Sequence, residues 1–392
     1  MIDTQCVHRS EQSIGSCCGE PLHQCICPEV SADWCYVRQP AGAAATPHLD
    51  AITGPTHAST MLPVCDRCLL RQAWHWSAGV RPLSRYVIGQ KQHRSGWPDA
   101  MAAIARYQDP HGILLDDFVE QTFGYERRQE SYREPWVGIF HHPPHPPEIL
   151  EPEYRLPDLL ASRPLGESLV ELRLAIALSD YLADWLRPRL PCPVAVLRLC
   201  SATPPLYWSP VAWEHARPRR LLSVGHYLRN TRILHHVPQI RGVDKVRVLS
   251  QLPHVRTWDQ RVARHYRDTE PRRSHGWVEG AGYVAPKLYD RWLAESVLIT
   301  ELMDASANTA ILDAIARCTP LIVNRHPAAV EYLGPDYPLY YDTPDQVPQL
   351  LERAVEAHRY LLRRPRHWLQ PREFAAQLIH AIQPHVYGRI IQ

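Results

Sequence analysis

Along the 392-residue chain, compact runs of apolar, β-branched residues are separated by segments with apolar positions three and four apart. The two patterns follow one another most clearly between Val297 and Tyr341. VLITEL is a buried-strand run, and MDASAN is a polar loop of small residues. TAILDAIARC puts Ile311, Leu312, Ile315 and Ala316 on one helical face, with Ser306 or Asn308 as candidate N-cap. TPLIVN is a second strand run. Strand, loop, helix and strand make a βαβ unit, whose loop faces the ligand side of a parallel sheet.

The same alternation runs through the middle of the chain. RYVIGQ predicts a short strand, followed by a Gly-containing loop and a helix with Pro98 near its first turn. GILLDDFVEQTF carries Asp116, Asp117 and Glu120 either to a cleft or to the start of a surface helix. WVGIF is a buried strand that runs into His141, His142 and His145 among four prolines. The prolines end the strand and exclude helical presentation of the three histidines. LVELRLAIALSDYLADWLRPRLPCPVAVLRLC predicts strand, helix and strand. Its helix covers Asp180–Arg187, turns Leu182, Trp185 and Leu186 inward, and stops at Pro188. RRLLSVGHYLRN predicts another strand, a turn at Gly225 and a loop holding Arg229, and KVRVLS is the next strand. Residues 251–295 are polar and rich in Arg and His. The chain beyond Tyr341 is mainly helical.

The predicted architecture is α/β, with two facing Rossmann-like domains at 73–215 and 216–371. A C-terminal helix at 372–392 returns toward the first domain. The loop of Ser306, Ala307, Asn308 and Thr309 presents backbone N–H groups at the positive end of a helix, which suits a diphosphate. Asp313, just over a turn further on, can accept hydrogen bonds from ribose hydroxyls. Glu331 follows the next strand at the same sheet edge. These features alone support only a phosphate-bearing ligand.

The stretch resembles the nucleotide-sugar half of bacterial glycosyltransferases of the GT-B architecture. The resemblance is carried by Glu301, Asp304 to Asn308, Asp313, Thr319, Pro320, Asn324, Pro327, Glu331 to Gly334 and Asp336 to Leu339. It extends to Arg94–Trp97 and to Trp136–Pro144, and covers about residues 85–345. It implies transfer of a sugar from a nucleotide-sugar, UDP- or GDP-linked first, to an acceptor. Arg229 and the Ser306–Thr309 amides would hold the diphosphate. Asp313 would hold the ribose, and Glu331 the base or the ribose. His141 would bind a sugar hydroxyl or act as base toward the acceptor, and Ser95, Gly96 and Trp97 would line the acceptor side. Asp313 stands where the family has Glu, and Ala305 where retaining members have a second Glu, so stereochemistry is not carried over. Leu199–Ala202 replace the family's His-Pro-Thr-Glu. No DxD-like element is well placed, so transfer is expected to be metal-independent.

Residues 1–72 form a separate block with eight of the eleven cysteines and poor apolar periodicity. It is similar to a Cys-rich module that precedes some glycosyltransferases of this kind. Cys6, His8, Cys25, Cys27, Cys65 and Cys68 are the candidate ligands of a structural zinc, an iron–sulfur cluster being the second choice. The module is a candidate contact for a protein partner. A hydrophobic fraction of 45% and a charged fraction of 21% describe a globular protein. The net charge of +2 rests on arginine, the only lysines being Lys91, Lys245 and Lys287, and gives no reason to expect nucleic acid. No apolar run is long enough to cross a membrane, and the first residues lack a signal-peptide pattern, so a cytoplasmic protein is expected. Two other functions fit the same architecture: a nucleotide-sugar epimerase or hydrolase, and a non-catalytic GT-B-like binding or adaptor protein.

Overall fold

A computed structural model describes residues 79–83, 96–201, 204, 206–267, 277–278 and 284–387. The proposed metal ligands Cys6, His8, Cys25, Cys27, Cys65 and Cys68 lie outside the described residues, as do RYVIGQ and Ser95. The chain divides into two compact units. In the smaller, β1 (Val80–Pro82) and β2 (Ile113–Asp116) run parallel, with Val80 opposite Ile113 and Pro82 opposite Leu115.

The larger unit spans Ser84–Ala103 and Asp116–Gln377, and holds strands of two parallel sheets. The first set is β3 (Trp136–Phe140), β4 (Leu172–Ala177) and β5 (Val194–Val196). They lie side by side, with Ile139 opposite Ile176 and Ile176 opposite Ala195. Every residue of β3 is buried, as expected for a strand covered on both faces.

The second sheet comprises β6 (Arg219–Val224), β7 (Val243–Val248), β8 (Trp277–Val278), β9 (Val297–Thr300), β10 (Leu321–Asn324) and β11 (Tyr340–Tyr341). Its order is β11-β10-β9-β6-β7-β8. The chain starts in the centre at β6, winds outward through β7 and β8, then returns to β6's other side and winds outward again. The winding direction therefore reverses between β6 and β9. In an open parallel sheet, a ligand crevice lies beyond the carboxyl ends of the strands at such a reversal. Two loops leave from there: Gly225–Arg229 after β6 and Glu301–Asn308 after β9.

The helices follow the expected periodicity. Those used below are α1 (Trp97–Ile104), α2 (Asp180–Leu186), α3 (Pro253–His265), α4 (Pro286–Glu295), α5 (Thr309–Arg317), α6 (Pro327–Leu333), α7 (Ala354–Arg363) and α8 (Pro371–Tyr387). In α5 the Asn308 side chain accepts from the amides of Ala310 and Ile311, so Asn308 is the N-cap and Ser306 is not. Cys318 ends this helix in the left-handed conformation, at φ 55°. In α2, Leu182, Ala183 and Leu186 are buried, whereas Trp185 is only half-buried and lies under the Arg189 guanidinium. Between α4 and α5, a buried ion pair joins Arg317 to Asp290 at 2.8 Å. Among the described residues, no helix is long and apolar enough to cross a membrane.

Candidate functional site

A cleft of about 640 Å³ lies in the larger unit where the β6 and β9 loops meet the loops beyond β2 and β3. The chemistry of its walls follows from three local arrangements.

The first brings a guanidinium to a helix start. Val224 ends β6 and Gly225 turns the chain at φ +78°. Arg229 then folds back, giving Nη1–H to the Val224 carbonyl at 2.6 Å and Nη2–H to Thr309 Oγ1 at 3.2 Å. Arg229 is 8% exposed, and its Nε has no protein partner among the described residues. Burial lowers its pKa to about 10, with Tyr289 and Asp313 acting in the opposite direction. The guanidinium thus stands at the amino end of α5. The amides of Ser306, Ala307, Asn308 and Thr309 donate to no protein acceptor among the described residues, and all four residues line the cleft. Fixed positive charge and free N–H groups meet at one wall.

The second arrangement is the histidine loop after β3. His141 Nε2 lies 2.9 Å from the Asp117 carbonyl oxygen. A carbonyl only accepts, so Nε2 carries the proton and Nδ1 keeps its lone pair. The ring is enclosed by Trp97, edge-on at 4.7 Å, and Phe118 at 4.1 Å. Burial lowers its pKa to about 3, so the ring is neutral. His142 Nδ1 donates to the Tyr154 carbonyl at 2.7 Å, and Tyr227 gives its hydroxyl proton to Nε2 at 3.1 Å. Burial brings this ring to about 4. Both backbone amides end on one carboxylate. Glu120 takes the His141 N–H at 3.0 and 3.1 Å and the His142 N–H at 2.8 Å. It is fully buried, and desolvation raises its pKa to about 7 against the pull of these amides. Asp116 and Asp117 are buried beside it, so this segment turns inward and is not the start of a surface helix.

The third arrangement ties the two sets of strands together. Ser306 Oγ donates to the His141 carbonyl. Asp304, 2% exposed, accepts from His145 N at 2.6 Å, Tyr181 Oη at 3.1 Å and Ala305 N at 2.9 Å. His326 Nε2 contacts it at 3.0 Å. Glu331 accepts from the amides of Asp180 and Tyr181, each at 2.7 Å. Ser179 Oγ takes the next amide, from Leu182. The first turn of α2 is therefore capped by its own serine and by a carboxylate from α6.

Of the residues singled out from the sequence, Trp97, His141, Arg229, Ser306, Ala307, Asn308 and Thr309 come together around the cleft. Gly96, at φ +75°, is buried at the start of α1. Asp313 lies deeper along α5, nearly buried and close enough to influence Arg229. Glu331 is engaged with α2 and is not part of the cleft wall. Lys245, the lysine of β7, gives its ammonium protons to the carbonyls of Leu234 and Val237 and does not line the cleft. Tyr125, His226, Tyr227 and His254 are cleft residues that the sequence pattern did not pick out. The signal for Glu120 was present: three carboxylates directly after an apolar strand, at the end of the strand where ligands bind.

Site and fold together define a parallel α/β protein whose cleft, at a sheet's switch point, is lined by a buried guanidinium and by free backbone amides. Neither a family model nor a curated protein matches the chain. Solved structures similar to it include an α,α-trehalose 6-phosphate synthase from Burkholderia multivorans. That chain is 14% identical, with 76% of each chain covered and a TM-score of 0.49. A sucrose-phosphate synthase from Thermosynechococcus elongatus is 13% identical, with 78% of this chain and 80% of that one covered, at 0.47. A trehalose-6-phosphate protein from E. coli bound with UDP-2-fluoro glucose is 13% identical, with 74% and 77% covered, at 0.47.

Proposed function

We propose that the chain is a glycosyltransferase that takes a nucleotide-sugar into this cleft and passes the sugar to an acceptor hydroxyl. The observation that carries the reading is the anion pole: a nearly buried arginine with an unpartnered Nε, beside four free amides at the start of α5. A diphosphate satisfies both at once. Asp313 then serves the ribose. As the sugar–phosphate bond breaks, negative charge grows on the leaving diphosphate, and Arg229 and the helix end stabilise it where it forms.

In this reading His141 contributes its Nδ1 lone pair. A ring held near pKa 3 is a weak proton acceptor, so its role is to receive a hydrogen bond from a sugar or acceptor hydroxyl. Trp97 and Phe118 keep it dry and oriented. Glu331 is assigned to holding α2 and not to the donor. The zinc-bearing Cys-rich module, a metal-independent reaction and a cytoplasmic location stay with the reading as proposals resting on the sequence.

The test is thermal stability of the protein against UDP-, GDP-, ADP- and dTDP-sugars, with Asp313→Ala alongside. A ligand that binds only the native state raises Tm by mass action. A rise with one donor, lost in the variant, supports the reading and identifies the base. Turnover of the donor without an acceptor points to a hydrolase or epimerase. Binding without turnover on any acceptor points to a non-catalytic binding protein. No shift with any donor overturns the donor site.

A further inference from the structure

We propose that Glu120 is the positioning residue of the cleft: its ionised carboxylate, by taking the amides of His141 and His142 together, fixes the loop after β3 and so presents the His141 ring. The proposal rests on the reading of the cleft as a nucleotide-sugar site for its kinetic consequence, but not for its geometry.

The carboxylate is fully buried, yet it spends both oxygens on backbone N–H groups of one two-residue segment. The His142 ring is anchored separately, on the Tyr154 carbonyl and the Tyr227 hydroxyl. Pro143 and Pro144 follow the segment and supply no N–H of their own. The His141 ring is held by a single hydrogen bond, to Asp117. The His141 carbonyl receives Ser306 Oγ from the β9 loop. The dipeptide thus sits between Glu120 on one side and the donor-side loop on the other. A shift of the carboxylate moves both the imidazole and the Ser306 contact.

Protonation is the natural perturbation. A proton on Oε2 would face the His141 N–H, donor against donor, and one of the three contacts would be lost. The groups around Glu120 do not supply an alternative switch. Asp116 opposes its ionisation, His141 and His142 are neutral rings, and burial holds Tyr125 and Tyr227 above their ordinary values, as phenols. Glu120, at about 7, is therefore the member of this set that changes charge near neutrality. The loop tightens as pH rises through that value.

The experiment is nitrogen NMR of histidine-labelled full-length protein, with the His141 resonances assigned by a His141→Asn spectrum, across the neutral pH range. Wild type is expected to show His141 protonated on Nε2 at every pH, its shifts moving through one transition near 7. In Glu120→Gln the transition is absent, because an amide cannot ionise. A transition that persists in Glu120→Gln overturns the proposal. Glu120→Asp keeps the charge on a shorter arm and guards against a glutamine variant that does not fold. It is expected to keep a transition and to lower kcat by about a hundredfold with KM little changed, as for a misplaced group; wild-type kcat in that variant overturns the proposal. If no nucleotide-sugar is bound or turned over, the functional reading fails, while the NMR result still decides the role of Glu120.

Discussion

A Cβ built on Gly225 would stand 2.1 Å from Nη1 of Arg229 and 2.8 Å from its Cζ. The guanidinium therefore occupies the space that any other residue at position 225 would fill. The backbone there is also at φ +78°, a conformation open to glycine at little cost. One glycine thus makes both the turn after β6 and the seat of the cation.

Gly225→Ala is expected to cost more than about 1 kcal/mol of stability from the backbone alone. It should also expel Arg229 from the start of α5 and abolish the donor-induced rise in Tm. Arg229→Lys separates the two effects. It keeps a charge but loses the fork that reaches Val224 and Thr309, so the protein stays folded while the donor response weakens. Urea unfolding and a donor titration on the two variants measure these outcomes. A Gly225→Ala protein with an undiminished donor response would remove Arg229 from the site.

Asp304 joins segments far apart in sequence. It takes the His145 amide, the Tyr181 hydroxyl and the Ala305 amide while almost fully buried. Asp304→Ala strands these donors and should cost about 3 kcal/mol. Asp304→Asn keeps one carbonyl oxygen but turns an NH₂ toward one of the donors, for about 2 kcal/mol. Equilibrium denaturation orders wild type above Asn above Ala. Equal stability of Ala and wild type would show that these contacts are replaceable by water.

The elements that obey a local period were legible from the sequence. WVGIF is β3 to the residue, RRLLSV is β6, and TAILDAIAR is α5. The free amides ahead of α5 were legible too, because they are a property of the loop and helix themselves. What stayed hidden depends on distant partners. Glu120 finds its amides 21 and 22 residues away, and Glu331 finds its own 151 and 150 residues away. No periodicity carries that information. A carboxylate beyond a strand looks the same in sequence whether it meets a ribose or the bare end of a helix.

Glu331 provides a direct test of that distinction. As the cap of α2, it satisfies two amides that Ser179 cannot reach. Glu331→Ala should cost about 1–2 kcal/mol of stability and leave the donor-induced Tm rise intact. A variant of unchanged stability that no longer responds to donor would restore the sequence-based assignment of Glu331 to the nucleotide. Thermal scans of the variant with and without donor decide between the two.

The loop after β3 also sets how stability depends on pH. Between 4.5 and about 7 the folded state holds a proton on Glu120 that the unfolded chain has released. The folded state binds more protons, so this group's contribution falls as pH rises through that window, by about 3 kcal/mol. His141 and His142 act in the opposite sense. Their pKa values fall from 6.5 to about 3 and about 4, so below 6.5 the unfolded chain binds the extra protons and stability drops as pH falls. Two histidines against one carboxylate leave a net rise with pH up to about 6.5, and a fall between there and about 7. Glu120→Gln removes the opposing member. The difference in unfolding free energy, wild type minus Glu120→Gln, should decline by about 3 kcal/mol from pH 4.5 to about 7 and be flat above it. Urea melts of both proteins at a series of pH values measure it. A difference that is flat throughout would mean that Glu120 is ionised in the folded protein at every pH in the window, with its three hydrogen bonds outweighing its burial.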